Sequence, residues 1–181
     1  MNYAEIKKRD VANGPGVRVS LFVSGCTHRC KGCFNAATWD FQYGQLFTED
    51  TIDEIIAALA PSYIKGLTLL GGDPMEKSNI IGLLPLLRRV KDIYPLKDIW
   101  CFTGYDYEKD ILDSMVNTWE GMKEFLRYID VLVDGEFIQE QKSLALKFKG
   151  SANQKTILVQ ESLAAGKTIL WQDRVYDTND K

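Results

Sequence analysis

Three of the four cysteines fall within eight residues, as Cys26-Thr27-His28-Arg29-Cys30-Lys31-Gly32-Cys33. The spacing C-x3-C-x2-C lets one short loop turn three thiolates toward one face of a cubane iron–sulfur cluster. Such clusters normally take four cysteine ligands. The remaining cysteine, Cys101, is distant in sequence and sits in an apolar run. If it is not a ligand, one iron lacks a protein thiolate, and an open metal position belongs to catalytic rather than closed structural sites. Two plainer readings stay open beside this one: a structural zinc site that includes His28, and thiols that bind nothing. His28 has a single residue between it and each of Cys26 and Cys30, tighter than the usual zinc-ligand spacings, and reads better as a loop residue near the site. Cys101 reads as core, because free cysteine is among the most buried residue types.

The composition narrows the classes of function. The chain has 181 residues, with 22 Lys+Arg against 25 Asp+Glu and a net charge of −3. That balance excludes a general nucleic-acid or membrane-surface binder. Hydrophobic residues at 45% and charged residues at 26% exclude wholesale disorder. No apolar run approaches the roughly 18–20 residues of a membrane helix. Lys7, Lys8 and Arg9 are followed by a turn at Asn13-Gly14-Pro15-Gly16 rather than by the apolar core of a secretion signal. A disulfide framework would spread its cysteines more evenly. The expectation is a cytoplasmic protein with neither nucleic acid nor membrane as partner.

The elements that must position the cysteines follow from periodicity and turn residues. Residues 17–23 (VRVSLFV) read as a buried strand that runs into the cysteine loop. Residues 48–60 read as a helix, with Thr48 or Asp50 as cap, acidic residues in the first turn, and Pro61 as stop. A strand over 67–70 ends in Gly71-Gly72-Asp73-Pro74. A helix over 78–94 follows, with Pro85 as a kink. A strand over 98–103, helical structure over 107–128 in one or two pieces, and a strand over 129–133 complete the alternation. Two last strands are expected over 155–159 and 168–171. Strand and helix alternating in this way imply parallel strands with helical crossovers. The chain is too short for an eight-unit barrel of about 250 residues. The expected fold is α/β, an open, partial β/α barrel with a mainly parallel sheet, forming a single domain over 1–181. The cysteines, Gly71-Gly72, Thr103-Gly104 and Asp134-Gly135 all follow strand ends, where α/β sheets bind ligands.

The C-x3-C-x2-C loop after a first strand resembles the hallmark of the radical S-adenosylmethionine superfamily. Asn13-Gly14-Pro15-Gly16-Val17-Arg18 and Leu21-Phe22-Val23-Ser24-Gly25-Cys26 resemble the entry strand of its glycyl-radical-enzyme activases. Gly32-Cys33-Phe34-Asn35, Thr38-Trp39, Gly71-Gly72-Asp73-Pro74, Thr103-Gly104-Tyr105, Val133-Asp134-Gly135-Glu136-Phe137 and Gly150-Ser151-Ala152-Asn153-Gln154 resemble the activases of anaerobic ribonucleoside-triphosphate reductase in particular. The matches run in order from about Asn13 to Gln154, and the tail over 155–181 carries no assignment. Gly32 stands where many superfamily members have an aromatic residue, and Lys155 where family members often have Arg.

The resemblance implies a [4Fe–4S] cluster on Cys26, Cys30 and Cys33. Its fourth iron would take the amino and carboxylate groups of S-adenosylmethionine. Reductive cleavage would give methionine and a 5′-deoxyadenosyl radical. This cofactor-borne chemistry requires no acid–base pair or nucleophilic triad, and the sequence shows none. Gly32, Cys33, Phe34, Gly71, Gly72, Asp73, Pro74, Thr103 and Asp134 are the implied cofactor-binding residues. Asp73 either orients its loop or attracts the amino group. Phe34 either meets the cofactor or packs in the core, and Thr103 and Asp134 either line the pocket or form turns. Trp39 and Tyr43 read as core more readily than as a docking patch. Asn153 and Gln154 serve a partner interface or a turn. The implied partners are the anaerobic reductase, as protein substrate, and a flavodoxin- or ferredoxin-like electron donor. Activation of another glycyl-radical enzyme or a small radical synthase is the nearest alternative. A non-catalytic iron–sulfur or zinc module is the alternative from another class.

Overall fold

Seven strands of one sheet, covered by helices, make up the computed structural model, which describes residues 1–172. The expected tail therefore lies outside the described residues over 173–181. The first of the parallel strands is β2 (Val17–Val23), buried along nearly its whole length, as its run of β-branched and apolar residues requires. The parallel strands β4 (Ile64–Gly71), β5 (Asp98–Phe102) and β6 (Val131–Asp134) are added to it in turn. Each is reached through helical structure, as parallel pairing demands. These four strands point their carboxyl ends at one edge of the sheet.

The mainly parallel sheet expected from sequence is corrected to a mixed one. The order is β3-β1-β2-β4-β5-β6-β7, and the outer pairings are antiparallel. On one flank, β1 (Asn2–Asp10) runs against β2 and carries the short β3 (Gln45–Leu46). On the other, β7 (Lys155–Leu158) returns beside β6 without a helical crossover. The sheet stays open, with β3 and β7 at its edges. The expected last strand over 168–171 shrinks to one bridge between Leu170 and Ile157, extended by Leu158 N donating to Ile169 O and Trp171 N to Thr156 O.

The first helix starts where its cap dictates. Thr48 caps α1 (Glu49–Leu59): its hydroxyl accepts from Thr51 N, and its own amide donates to the Thr51 hydroxyl. Helix α2 (Lys77–Ile93) holds Pro85 in its interior while burying Leu83, Leu84, Leu86 and Leu87. The helical region after β5 is two pieces. A π-wound segment, Tyr107–Met115, runs into α3 (Val116–Thr118), and a turn at Gly121 separates α4 (Met122–Tyr128). The short α5 (Val159–Ala165) follows β7. One sheet face meets these helices through the main apolar core. A smaller cluster of Trp100, Val131 and Val133 packs with Phe102, Phe148, Leu158 and Trp171.

Two charged residues pin the amino-terminal end of β2. Arg18 is fully buried. Its Nη1 lies 2.6 Å from Asp98 Oδ1, Nε donates to Thr68 Oγ1 at 2.7 Å, and Nη2 donates to Leu67 O at 2.9 Å, which ties β2, β4 and β5 together. Burial pulls its pKa down, and Asp98 offsets part of that pull. Asp10 Oδ2 accepts from Ser20 Oγ and Asn13 Nδ2, both at 2.6 Å, and its Oδ1 accepts from Ala12 N at 2.9 Å. Burial pushes this carboxyl up, but the hydrogen bonds together hold it below the usual carboxylate value.

Replacing Arg18 by Met keeps bulk but strands Asp98 and the Leu67 carbonyl. The expected cost is about 3 kcal/mol, the low end for a broken buried pair, because Asp98 retains some contact with water. Urea unfolding measures it. A carboxyl with a depressed pKa stabilises the fold above its unfolded pKa and stops doing so as pH falls through the folded value. The stability gap between wild type and Asp10→Asn should therefore be constant above about pH 5 and shrink below about pH 4. Unfolding curves across pH 2–7 check the direction.

Candidate functional site

The cysteine loop leaves the carboxyl end of β2 and is stitched down on two sides. Gly25 N donates to Thr38 O at 2.8 Å and Cys26 N to Trp39 O at 3.1 Å, so the 3-10 turn Ala36–Trp39 braces it from outside. From the sheet side, Gly72 N donates to Val23 O and Asp73 N to Gly25 O, both at 2.8 Å. The two glycines of the turn after β4 are what permits this approach. Gly71 has φ +109, and a Cβ there would lie 2.7 Å from Val23 O. At Gly72 a Cβ would lie 2.5 Å from the Gly25 carbonyl oxygen.

Between these strand ends lies a cavity of about 440 Å³. Cys26, Cys30 and Cys33 line it together with Gly71, Gly72, Asp73, Phe34 and Thr103. Three other expected cofactor residues lie outside the lining. Gly32 faces solvent beside the Gln139 side chain. Pro74 is buried behind the turn. Asp134 is buried too, where Oδ2 accepts from Tyr107 N at 2.9 Å and Oδ1 from Lys155 N at 3.0 Å. Burial pushes the Asp134 carboxyl up. Phe34 is 66% exposed and meets Phe137 with ring centroids 5.4 Å apart, so it forms part of the mouth rather than the core. Gln154 lines the cavity but spends its side chain on the turn, accepting from Gly150 N and donating to Gly135 O.

The two roles left open for Asp73 separate here. Its carboxylate oxygens both lie 2.9 Å from the Thr103 hydroxyl, and they accept from Gly104 N and Met75 N at 2.8 Å. The side chain is thus spent on holding the ends of β4 and β5 together. His28 adds a third tie. Its Nε2 is 3.2 Å from Asp73 Oδ2, its Nδ1 is 3.0 Å from Glu136 Oε1, and its ring meets Tyr105 edge-on at 4.4 Å. Burial works against a charge on His28, but the two carboxylates outweigh it and raise its pKa to about 9.

The donor set fits an iron–sulfur cluster better than zinc. His28 would have to give up one of its two carboxylate partners to serve as a fourth zinc ligand. Among the described residues, no three His, Cys, Asp or Glu side chains stand together so as to hold a single ion, whereas a cubane takes each thiolate on a different iron. The three thiols are half-buried. Burial pushes Cys26 up to about 12, with Asp73 adding to it, and also raises Cys30. Such thiols ionise when a bound metal supplies the compensating charge. Cys101 is fully buried, its thiol raised well above the ordinary value by burial, and it lies outside the cavity.

Several residues at the site carried no sequence signal. Phe22, Leu70, Phe102 and Phe148 add apolar lining, and Lys7 reaches the cavity from β1. Asn79, in the first turn of α2, donates through Nδ2 to Ser24 O at 3.0 Å and to Asp73 O at 2.8 Å. Glu76, just before α2, accepts from Thr27. These contacts join residues far apart in sequence, and nothing in the local pattern marks them. The test of the stitched turn is Gly72→Ala. The new methyl forces backbone apart at Gly25, so we expect a loss of about 1–3 kcal/mol and fewer irons per chain after anaerobic reconstitution. Thermal unfolding and iron analysis measure the two effects.

Comparison with known proteins agrees with this geometry. Residues 12–157 match the model of a family described as a 4Fe-4S single cluster domain. The chain is 48% identical over 156 residues to the anaerobic ribonucleoside-triphosphate reductase-activating protein of Vibrio cholerae, covering 85% of this chain and 96% of that one. The protein of the same name from Haemophilus influenzae is 49% identical over 156 residues, with the same coverage. The one from Enterobacteria phage T4 is 45% identical over 157 residues, 86% of this chain and 92% of its own. The chain belongs to the family of anaerobic ribonucleoside-triphosphate reductase-activating proteins.

Proposed function

We propose that this chain activates an anaerobic ribonucleoside-triphosphate reductase, acting as a radical S-adenosylmethionine enzyme. The observation that carries the proposal is the meeting of three thiols and a Gly-Gly-Asp turn in one cavity, in a chain whose relatives bear the activating-protein name. Cys26, Cys30 and Cys33 would hold three irons of a [4Fe–4S] cluster. When bound, the cluster and S-adenosylmethionine would supply one-electron reductive cleavage of a sulfur–carbon bond and, through it, the radical chemistry that removes hydrogen from a glycine α-carbon of the reductase.

The chain's own residues bind, orient and exclude water. Gly71 and Gly72, which line the cavity, would present their backbone to the amino end of the cofactor. Asp73 fixes that backbone through Thr103, Gly104 and Met75. Phe22, Leu70, Phe102 and Phe148 give the cavity an apolar lining, which keeps water from a reactive intermediate. Phe34 and Phe137 stand where a partner segment would enter, with Lys142 Nζ 4.5 Å from the Phe34 ring. In this reading the open sheet is a partial β/α barrel of the superfamily type. A flavodoxin- or ferredoxin-like protein would supply the electron in the cytoplasm. Among the described residues no helix is long and apolar enough to cross a membrane.

The test is anaerobic incubation with the reductase, S-adenosylmethionine and a low-potential reductant, followed by electron paramagnetic resonance. A glycyl-radical doublet should appear on the reductase. Cys26→Ser, Cys30→Ser and Cys33→Ser should each drop it to background, while Cys101→Ser retains most of it. A doublet that forms without S-adenosylmethionine, or that survives Cys30→Ser, contradicts the proposal.

A further inference from the structure

Glu76 is buried, at 6% exposure, immediately before α2. Its backbone carbonyl accepts the first helical bonds, from Asn79 N and Ile80 N, but its side chain does not cap the helix. Instead the carboxylate turns to the cysteine loop. One oxygen, Oε1, lies 2.6 Å from Thr27 N and 2.6 Å from Thr27 Oγ1. Thr27 N belongs to the peptide bond that joins Cys26 to Thr27. The carboxylate therefore sits one peptide unit from a proposed cluster ligand.

Among the described residues, no Lys, Arg or His nitrogen forms an ion pair with Glu76. The adjacent Lys77 places its Nζ 4.9 Å from the Trp119 ring, and the loop's own His28 faces Asp73 and Glu136. A buried carboxylate held by one hydroxyl and one amide is expensive compared with a neutral residue of the same shape. Arg18, a buried charge at the opposite end of the sheet, has Asp98 against it. Glutamine at 76 would accept the same two bonds through its amide oxygen without a charge. Hydrogen bonding to Thr27 therefore does not account for a carboxylate here.

We infer that Glu76 is a positioning residue that also acts electrostatically, anchoring the Cys26–Thr27 peptide and placing a fixed negative charge beside the cluster that holds its reduction potential low. The inference rests on the cluster being bound as in the proposed function. Cluster potentials respond to local net charge, hydrogen bonding and exposure, and groups behind the ligands both orient them and tune the metal. A nearby negative charge opposes addition of an electron. A more negative potential gives the reduced cluster more driving force to pass that electron on.

The experiment compares Glu76→Gln and Glu76→Asp with wild type, all reconstituted anaerobically. Iron and sulfide content are measured first, then the midpoint potential by redox titration followed by electron paramagnetic resonance. Glutamine keeps the shape and an acceptor oxygen but removes the charge; aspartate keeps the charge and shortens the reach. The expected result is an upward shift of the midpoint in Glu76→Gln, with Glu76→Asp close to wild type. Loss of cluster confined to Glu76→Gln also supports the inference, since the charge is then what the loop requires. An unmoved midpoint in Glu76→Gln, or equal shifts or equal cluster loss in both variants, overturns it. A wild-type chain that takes up no cluster would instead sink the proposed function itself, so the two failures are distinguishable.

Discussion

Gly72 N donates to Val23 O, and Asp73 N donates to Gly25 O. These two bonds carry the pairing of β2 with β4 past the last residues of the sheet, and the site depends on them. They place the cysteine loop and the Gly-Gly-Asp turn side by side, so that residues nearly fifty positions apart line one cavity. Closeness of that order excludes any side chain at 71 or 72. Asn79 Nδ2 bridges the same two segments from α2. Asp73 and His28 extend the framework to the turns after β5 and β6. The loop is therefore held from several sides, while its three cysteines line the cavity.

Buried charge is used differently at the two ends of the sheet. At the amino end, Arg18 is met by Asp98, Thr68 and a backbone carbonyl, and Asp10 by three donors. Those groups fix strand order and register, and their charges are matched locally. At the carboxyl end Asp73, Glu76 and Glu136 lie against a loop that itself carries His28, Arg29 and Lys31, with the histidine shared between Asp73 and Glu136. Charge placed there can tune a loop that carries irons.

The parallel centre of the fold was legible because its signals are local. The β-branched run over 17–23, the capping threonine at 48, Pro61, and Gly71-Gly72 each declare themselves within a few residues. The flanks were not. β1 carries Glu5, Lys7, Lys8 and Arg9, which hide its strand pattern; in the structure the strand lies near the sheet edge, where charged side chains keep contact with water. The return of β7 beside β6 depends on a loop with no helical period, so a sequence pattern could not reveal its antiparallel sense. The same distinction holds at the site. The three cysteines and the glycine turn stood out by type and spacing. Glu76 and Asn79 did not, because what makes them special is a contact 49 or 55 residues away. Asp134 stands at a strand end, as a ligand-facing residue would, and its carboxylate accepts from the backbone amides of Tyr107 and Lys155.

The most direct measurement is electron paramagnetic resonance of the anaerobically reconstituted, reduced protein, with and without S-adenosylmethionine. The expected result is a cubane-type signal that changes shape when S-adenosylmethionine is added, because the cofactor would occupy the iron that the three cysteines leave open. A cluster signal indifferent to S-adenosylmethionine, or stoichiometric zinc with no cluster, would contradict it.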